Sequence, residues 1–182
     1  MNDGNYKLIF TGPVGAGKSS AISAISDTPP VMTDATATDM TQNIKETTTV
    51  AMDYGTLQLE GGEHLHLYGT PGQERFSFMW DILTKGGIGL ILLVDNTRPD
   101  PFHDLRFFLN SFKRFISDTQ LAIGVTQMDR CANPPLEKYH EQMRSFGLKV
   151  PLFEVDARQR RDIIVLIEAL LFSLAPNLKV SA

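Results

Sequence analysis

The eight residues Gly12-Pro13-Val14-Gly15-Ala16-Gly17-Lys18-Ser19 constrain this chain more than any others. Glycine at the first, fourth and sixth places lets the backbone turn sharply with its N–H groups aimed inward. The flanks fit the same plan. Lys7-Leu8-Ile9-Phe10 is a short apolar run suited to a buried strand, and Ser20 to Ser26 is small and apolar, suited to a helix. A strand that passes through such a turn into a helix N-terminus gathers unpaired N–H donors and partial positive charge around one point. That is the phosphate-binding P-loop pattern. Gly12, Pro13, Val14, Gly15, Ala16, Gly17, Lys18, Ser19 and Ser20 are therefore the expected phosphate-side residues. Lys18 would place a cation on the β and γ phosphates, and the Ser19 hydroxyl would ligate Mg²⁺.

The rest of the chain alternates between two periods. Residues 6–11 read as a strand and 17–26 as a helix stopped by Thr28-Pro29-Pro30. Residues 31–49 are rich in Thr, Asp and Ala and lack periodicity, as a functional loop would. Alternation resumes over 50–59, and Gly61-Gly62 reads as a hairpin turn into a strand at 64–68. A second glycine-rich loop, Gly69 to Phe76, follows, with a helix expected over 75–85. Ile88 to Val94 is apolar throughout, as a central strand would be. An amphipathic helix over 102–117 puts Leu105, Phe108, Leu109, Phe112 and Phe115 or Ile116 on one face. A strand at 121–126, a helix at 136–146, a strand at 151–155 and a helix at 162–174 complete the order. Strands alternating with helices predict the α/β class: a P-loop NTPase with a doubly wound, mostly parallel sheet of about six strands, helices on both faces and ligands at the strand carboxyl ends. A length of 182 residues fits one domain.

Composition narrows the partners. The net charge of −4 argues against a nucleic-acid groove or an anionic membrane surface. No apolar run is long enough to span a bilayer, and the last residues carry no cysteine for a lipid anchor. Cys131 is the only cysteine, which fits a reducing, cytoplasmic setting.

Four further segments at strand ends carry chemistry. Thr49 to Tyr54 is a threonine leading into a strand. Gly72-Gln73-Glu74-Arg75-Phe76 follows the third strand. Thr126-Gln127-Met128-Asp129 follows the fifth, and Asp156-Ala157-Arg158 the sixth. In order and spacing, these and the P-loop resemble the Ras-like small GTPases over nearly the whole chain. The resemblance implies one G domain over residues 1–182 that binds GTP or GDP with Mg²⁺ and hydrolyses GTP slowly as a molecular switch. It implies that Thr49 offers its hydroxyl to Mg²⁺ and its N–H to the γ-phosphate, with Thr47 and Thr48 as neighbouring candidates. It implies that Gln73 orients the attacking water beside Gly72, with Lys18 completing the catalytic set. Thr126, Gln127 and Asp129 would face the base. The Asp129 carboxylate would accept from guanine N1–H and the 2-amino group, which adenine lacks as a pair. Ala157 and Arg158 would close over the base, Ala157 giving an N–H to guanine O6.

Two departures qualify this pattern. Gln127 stands where the family carries lysine. Gly69 stands where the family carries the aspartate that holds Mg²⁺ through water. The Gly69 departure is similar to that of the bacterial cell-polarity, gliding-motility and conservon GTPases, and implies a roadblock-type protein partner. A missing carboxylate implies weak Mg²⁺ retention with GDP, which an aspartate restored at position 69 would correct, unless another group such as Asp53 replaces it. Arg75 reads as a solvated helix-start residue and Asp95 as structural. Phe76, Phe78, Met79 and Trp80 are more apolar bulk than one helix face hides, so one or two should be exposed. The competing readings are a nucleotide-locked scaffold without turnover and a P-loop small-molecule kinase, for which Arg158, Arg160 and Arg161 would have to form a lid.

Overall fold

The computed structural model describes residues 5–31, 52–174 and 180. The strand β1 (Asn5–Thr11) passes through the glycine turn into α1 (Lys18–Ile25). The hairpin β2 (Asp53–Gln58) and β3 (His64–Gly69) turns at Gly62, whose N–H donates to the Leu59 carbonyl at 3.0 Å. After α2 (Trp80–Thr84) come β4 (Gly89–Asp95), α3 (Pro101–Ser111) and α4 (Lys113–Asp118). The chain continues through β5 (Gln120–Thr126), α5 (Leu136–Ser145), β6 (Leu152–Glu154) and α6 (Arg160–Leu174).

These strands form one six-stranded sheet in the order β2-β3-β1-β4-β5-β6. Only the β2–β3 pairing is antiparallel. β4 is buried along its whole length, as a strand covered on both faces must be. Side chains alternate between two cores. Leu8, Phe10, Ile91 and Leu93 pack with Ile22 of α1 and Ile163, Leu166 and Leu170 of α6. Ile9, Leu90, Leu92 and Val94 pack on the other face with Trp80, Leu105, Phe108, Tyr139 and Met143. This is the doubly wound α/β fold of the P-loop NTPases. The order reverses at β1, so the crevice opens at the carboxyl ends of β1 and β4.

Two helices differ from expectation. Residues 74–79 form a 3₁₀ segment rather than the start of an α-helix, and α2 begins only at Trp80. None of residues 74–79 is buried, so no apolar face draws that segment into α geometry. The Trp80 indole N–H donates to the Pro71 carbonyl at 3.1 Å and tightens the turn. The expected 102–117 helix breaks at Phe112 into α3 and α4. The Phe112 ring is buried and stacks on Trp80 with centroids 5.0 Å apart, and that packing outweighs helical continuity. Of the expected loop 31–49, only Val31 lies within the described residues; it pairs with Tyr54 through hydrogen bonds of 3.0 Å. Thr47, Thr48 and Thr49 lie outside them.

Candidate functional site

The P-loop leaves β1 against the buried strand beside it. At Gly12, with φ of 137°, a Cβ would run into the Leu93 carbonyl oxygen, so only glycine permits the turn. Lys18 then begins α1 with its side chain folded back under the loop. Its Nζ donates to the carbonyls of Gly12 and Pro13 at 2.8 Å each. Burial pushes this ammonium down to about 8, opposed by the nearby Asp53 carboxylate. A desolvated cation at the N-terminus of a helix is an attractor for phosphate oxygens. Val14, Ser19 and Ser20 are exposed around it, while Pro13 and Ala16 are buried.

The other side of the cleft comes from two other strands. The buried Thr126 hydroxyl, at the end of β5, lies 3.1 Å from the Ala16 carbonyl and 3.2 Å from that of Val94. Gln127 has φ of 60°, the left-handed region that few residues other than glycine occupy. This turns its side chain toward the P-loop, where Nε2 donates to the Gly15 carbonyl at 3.1 Å. Its Oε1 accepts from Arg130. After β6, Asp156 grips Arg158 through Nε and Nη2 at 2.8 Å each. These bonds pull the Asp156 carboxyl down to about 2. The same guanidinium reaches Asp129 at 3.7 Å.

These pieces enclose an open cleft of about 250 Å³ lined by Gly15, Ala16, Gly17, Ser20, Thr126, Gln127, Asp129, Arg130, Asp156, Ala157 and Arg158. Nine of these are residues the sequence marks, drawn from the P-loop and from the ends of β5 and β6. Asp156 opens the segment that carries Ala157 and Arg158, and Arg130 joins them without a motif of its own. Asn96 is a further positioning residue that the sequence does not flag. It is buried, donates to the carbonyls of Cys131 and Pro134 at 2.6 and 3.1 Å, and accepts from the Tyr139 hydroxyl at 2.6 Å. It thereby pins the loop that carries Asp129. Its only sequence signal is a second polar residue, after Asp95, at the end of an otherwise apolar strand.

The other end of the P-loop meets the loop after β3. The Thr70 hydroxyl donates to that of Thr11 at 2.9 Å, and the Thr70 N–H to the Phe10 carbonyl at 2.8 Å. Gly72 then rests on the phosphate cradle: a Cβ there would lie 2.7 Å from Val14 N and 2.8 Å from Lys18 Nζ. Gln73 follows, exposed, its side chain without a hydrogen bond among the described residues. Of the apolar quartet, Trp80 is buried and Phe78 is 62% exposed. Ser19 donates through its hydroxyl to Asp53 at 2.6 Å, and the carbon of Gly69 offers no ligand. Asp95 is structural, accepting from the Thr97 N–H and hydroxyl at 2.8 and 2.7 Å. Arg160 points away from the cleft, donating to the Ile25 carbonyl at 2.7 Å.

This fold and site define a nucleotide-binding, GTPase-like protein of the P-loop class. A family model agrees on the broad chemistry: the one described as "Conserved hypothetical ATP binding protein" matches residues 10–162. The chain belongs to that family. It is also similar to the Ras-related protein RabC of Dictyostelium discoideum, 25% identical over 178 residues that cover 96% of this chain and 86% of that one. The Ras-related protein RABE1e of Arabidopsis thaliana is 27% identical over 180 residues, 95% of this chain and 74% of its own. The GTP-binding protein ypt1 of Schizosaccharomyces pombe is 24% identical over 161 residues, 87% of this chain and 74% of its own. Among the described residues, no helix is long and apolar enough to cross a membrane.

Proposed function

We propose that residues 1–182 form one G domain that binds GTP and GDP with Mg²⁺, hydrolyses GTP slowly, and works as a cytoplasmic molecular switch. One observation carries this reading. The P-loop and the ends of β5 and β6 converge on a single cleft lined by Asp129, with the buried Lys18 folded back under the P-loop beside it. The triphosphate would lie along Gly12 to Ser19, with Lys18 on the β and γ oxygens and Ser19 and Thr49 toward the metal. The base would lie between Gln127 and Ala157-Arg158, with Asp129 reading guanine. Gln73, exposed, next to Gly72 and without a side-chain hydrogen bond among the described residues, would orient water toward the γ-phosphate, the one step of chemistry required. Phosphate release would relax residues 31–49 and the loop after β3, changing how partners bind.

The exposed Phe78 and Ile82 beside Gln73 favour a protein partner at this face. The Pro71-Gly72-Gln73 sequence without a preceding aspartate supports a place in the bacterial polarity and conservon branch, with a roadblock-type partner. The test of the site is Lys18→Ala. Calorimetry should show loss of guanine-nucleotide binding in a protein whose circular dichroism is unchanged; retained affinity would refute the site.

The family's description favours a second reading, in which the ligand is ATP. The carboxylate of Asp129 argues against it, because adenine presents no paired donors to accept from. Direct competition of ATP against bound GDP separates the two.

A further inference from the structure

Asp53 opens β2 and lies directly opposite Gly69, the last residue of β3, in the antiparallel ladder. Residues paired this way project to the same face of a sheet. A side chain on either one therefore enters the same space beneath the P-loop. We propose that Asp53 supplies to the divalent cation the outer carboxylate that Gly69 does not. The proposal rests on the nucleotide-switch reading above and adds to it how the metal is held.

Three observations carry it. Asp53 Oδ2 accepts a hydrogen bond from the Ser19 hydroxyl at 2.6 Å. A carboxylate in that position accepts the hydroxyl's hydrogen bond and leaves the Ser19 oxygen lone pairs free to face a cation. Next, Asp53 acts electrostatically on Lys18, so its charge lies at the phosphate end of the site. Finally, the space is shared. A Cβ at residue 69 would lie 3.1 Å from both Cβ and Oδ2 of Asp53 and 3.2 Å from Ile22 Cδ1. Glycine at 69 is what leaves room for the aspartate at 53.

The residues present fit Mg²⁺. Among the described residues there is no cluster of three or more His, Cys, Asp or Glu side chains that could cage a metal. Mg²⁺ bound with phosphates needs none, since it keeps several waters and takes one or two protein oxygens. Ser19 would give the inner oxygen, and Asp53 would accept from the metal's waters. The weak GDP-state retention expected from Gly69 alone then does not follow, because the carboxylate has changed strands.

The expected effect of restoring an aspartate at 69 also reverses. Gly69→Asp would set two carboxylates in one space, where crowding and like charge oppose both.

The test is stopped-flow release of a fluorescent GDP analogue over a MgCl₂ titration that starts in EDTA. Wild type should hold the analogue in Mg²⁺ and lose it faster in EDTA. Asp53→Asn should raise the Mg²⁺ concentration for half-maximal retention by about 10–100-fold, the usual weight of an outer-shell partner. Its release in EDTA should stay near wild type, which also shows that the variant is folded with its phosphate cradle intact. Gly69→Asp should not lower the Mg²⁺ requirement. The proposal is overturned if Asp53→Asn leaves that requirement unchanged, or speeds release equally with and without Mg²⁺, or if Gly69→Asp tightens retention. Wild type that binds no guanine nucleotide would overturn the switch reading itself, and this shows before any variant is made.

Discussion

The Thr126 hydroxyl, at the end of β5, lies 3.1 Å from the carbonyl of Ala16 in the phosphate loop. Two segments 110 residues apart are thus tied by one buried side chain. The bond from Gln127 Nε2 to the Gly15 carbonyl adds a second tie between the P-loop and the end of β5.

Thr126→Val keeps the shape and removes the bond. The buried carbonyls of Ala16 and Val94 lose the one O–H donor they share, which costs about 1–3 kcal/mol. Urea denaturation should show a loss in that range, and nucleotide affinity should fall with it. Unchanged stability and affinity would mean that the two segments are held together by other contacts.

Asp129→Asn exchanges an acceptor pair for one acceptor and one donor. Guanine then loses a partner for its 2-amino group, while xanthine offers a 2-oxo acceptor to the new N–H. Affinity for GDP should fall and that for xanthosine diphosphate should rise, so that the preference inverts. Fluorescence competition between the two nucleotides reads this directly. A parallel loss for both would place Asp129 in the loop's structure rather than at the base.

Gln73→Leu should slow GTP hydrolysis without altering stability. The side chain is exposed and makes no hydrogen bond among the described residues, so the change in unfolding free energy should stay within about 0.5 kcal/mol. Single-turnover hydrolysis by the wild type alone should be slow, of order 10⁻⁴ s⁻¹ for an unaided Ras-like site. A rate near 1 s⁻¹, or no response to the substitution, would contradict the assignment.

Much of this site is legible in the sequence because it consists of short strings at strand ends. Gly12 to Ser19, Thr126 to Asp129 and Asp156 to Arg158 each carry their chemistry within a few consecutive residues, and the fold needs only to bring the strand ends together. The contribution of Asp53 is of another kind. It depends on the β2–β3 register, which no local string encodes, although the hairpin turn at Gly61-Gly62 signals that a register exists. Asn96 is hidden for a similar reason, since its partners Cys131, Pro134 and Tyr139 lie 35 or more residues away. The break at Phe112 is set by the Trp80 ring beneath it rather than by the helical period.

The Asp156–Arg158 pair sets a pH expectation. The folded carboxyl is drawn below its ordinary 3.8 to about 2, chiefly by its hydrogen bonds to Arg158. A depressed carboxylate contributes fully above its unfolded value and loses that contribution as pH falls from about 3.8 through 2. The pair is solvent-exposed, so its weight in stability is small. The Asp156 carboxyl resonance should titrate well below 3.8 by NMR, and the base loop should be unchanged between about pH 5 and 8. A midpoint at or above 3.8 would mean that the bidentate pair does not form.

The most direct measurement is calorimetric titration of the purified chain, stripped of nucleotide, with GDP and with ADP in the presence of Mg²⁺. Two hydrogen bonds to the Asp129 carboxylate, each worth about 1.5–3 kcal/mol, favour guanine by roughly 10²–10⁴-fold. GDP should therefore bind at least about 100-fold more tightly than ADP. Equal binding of ADP, or binding of neither nucleotide, would contradict the assignment of this cleft to guanine.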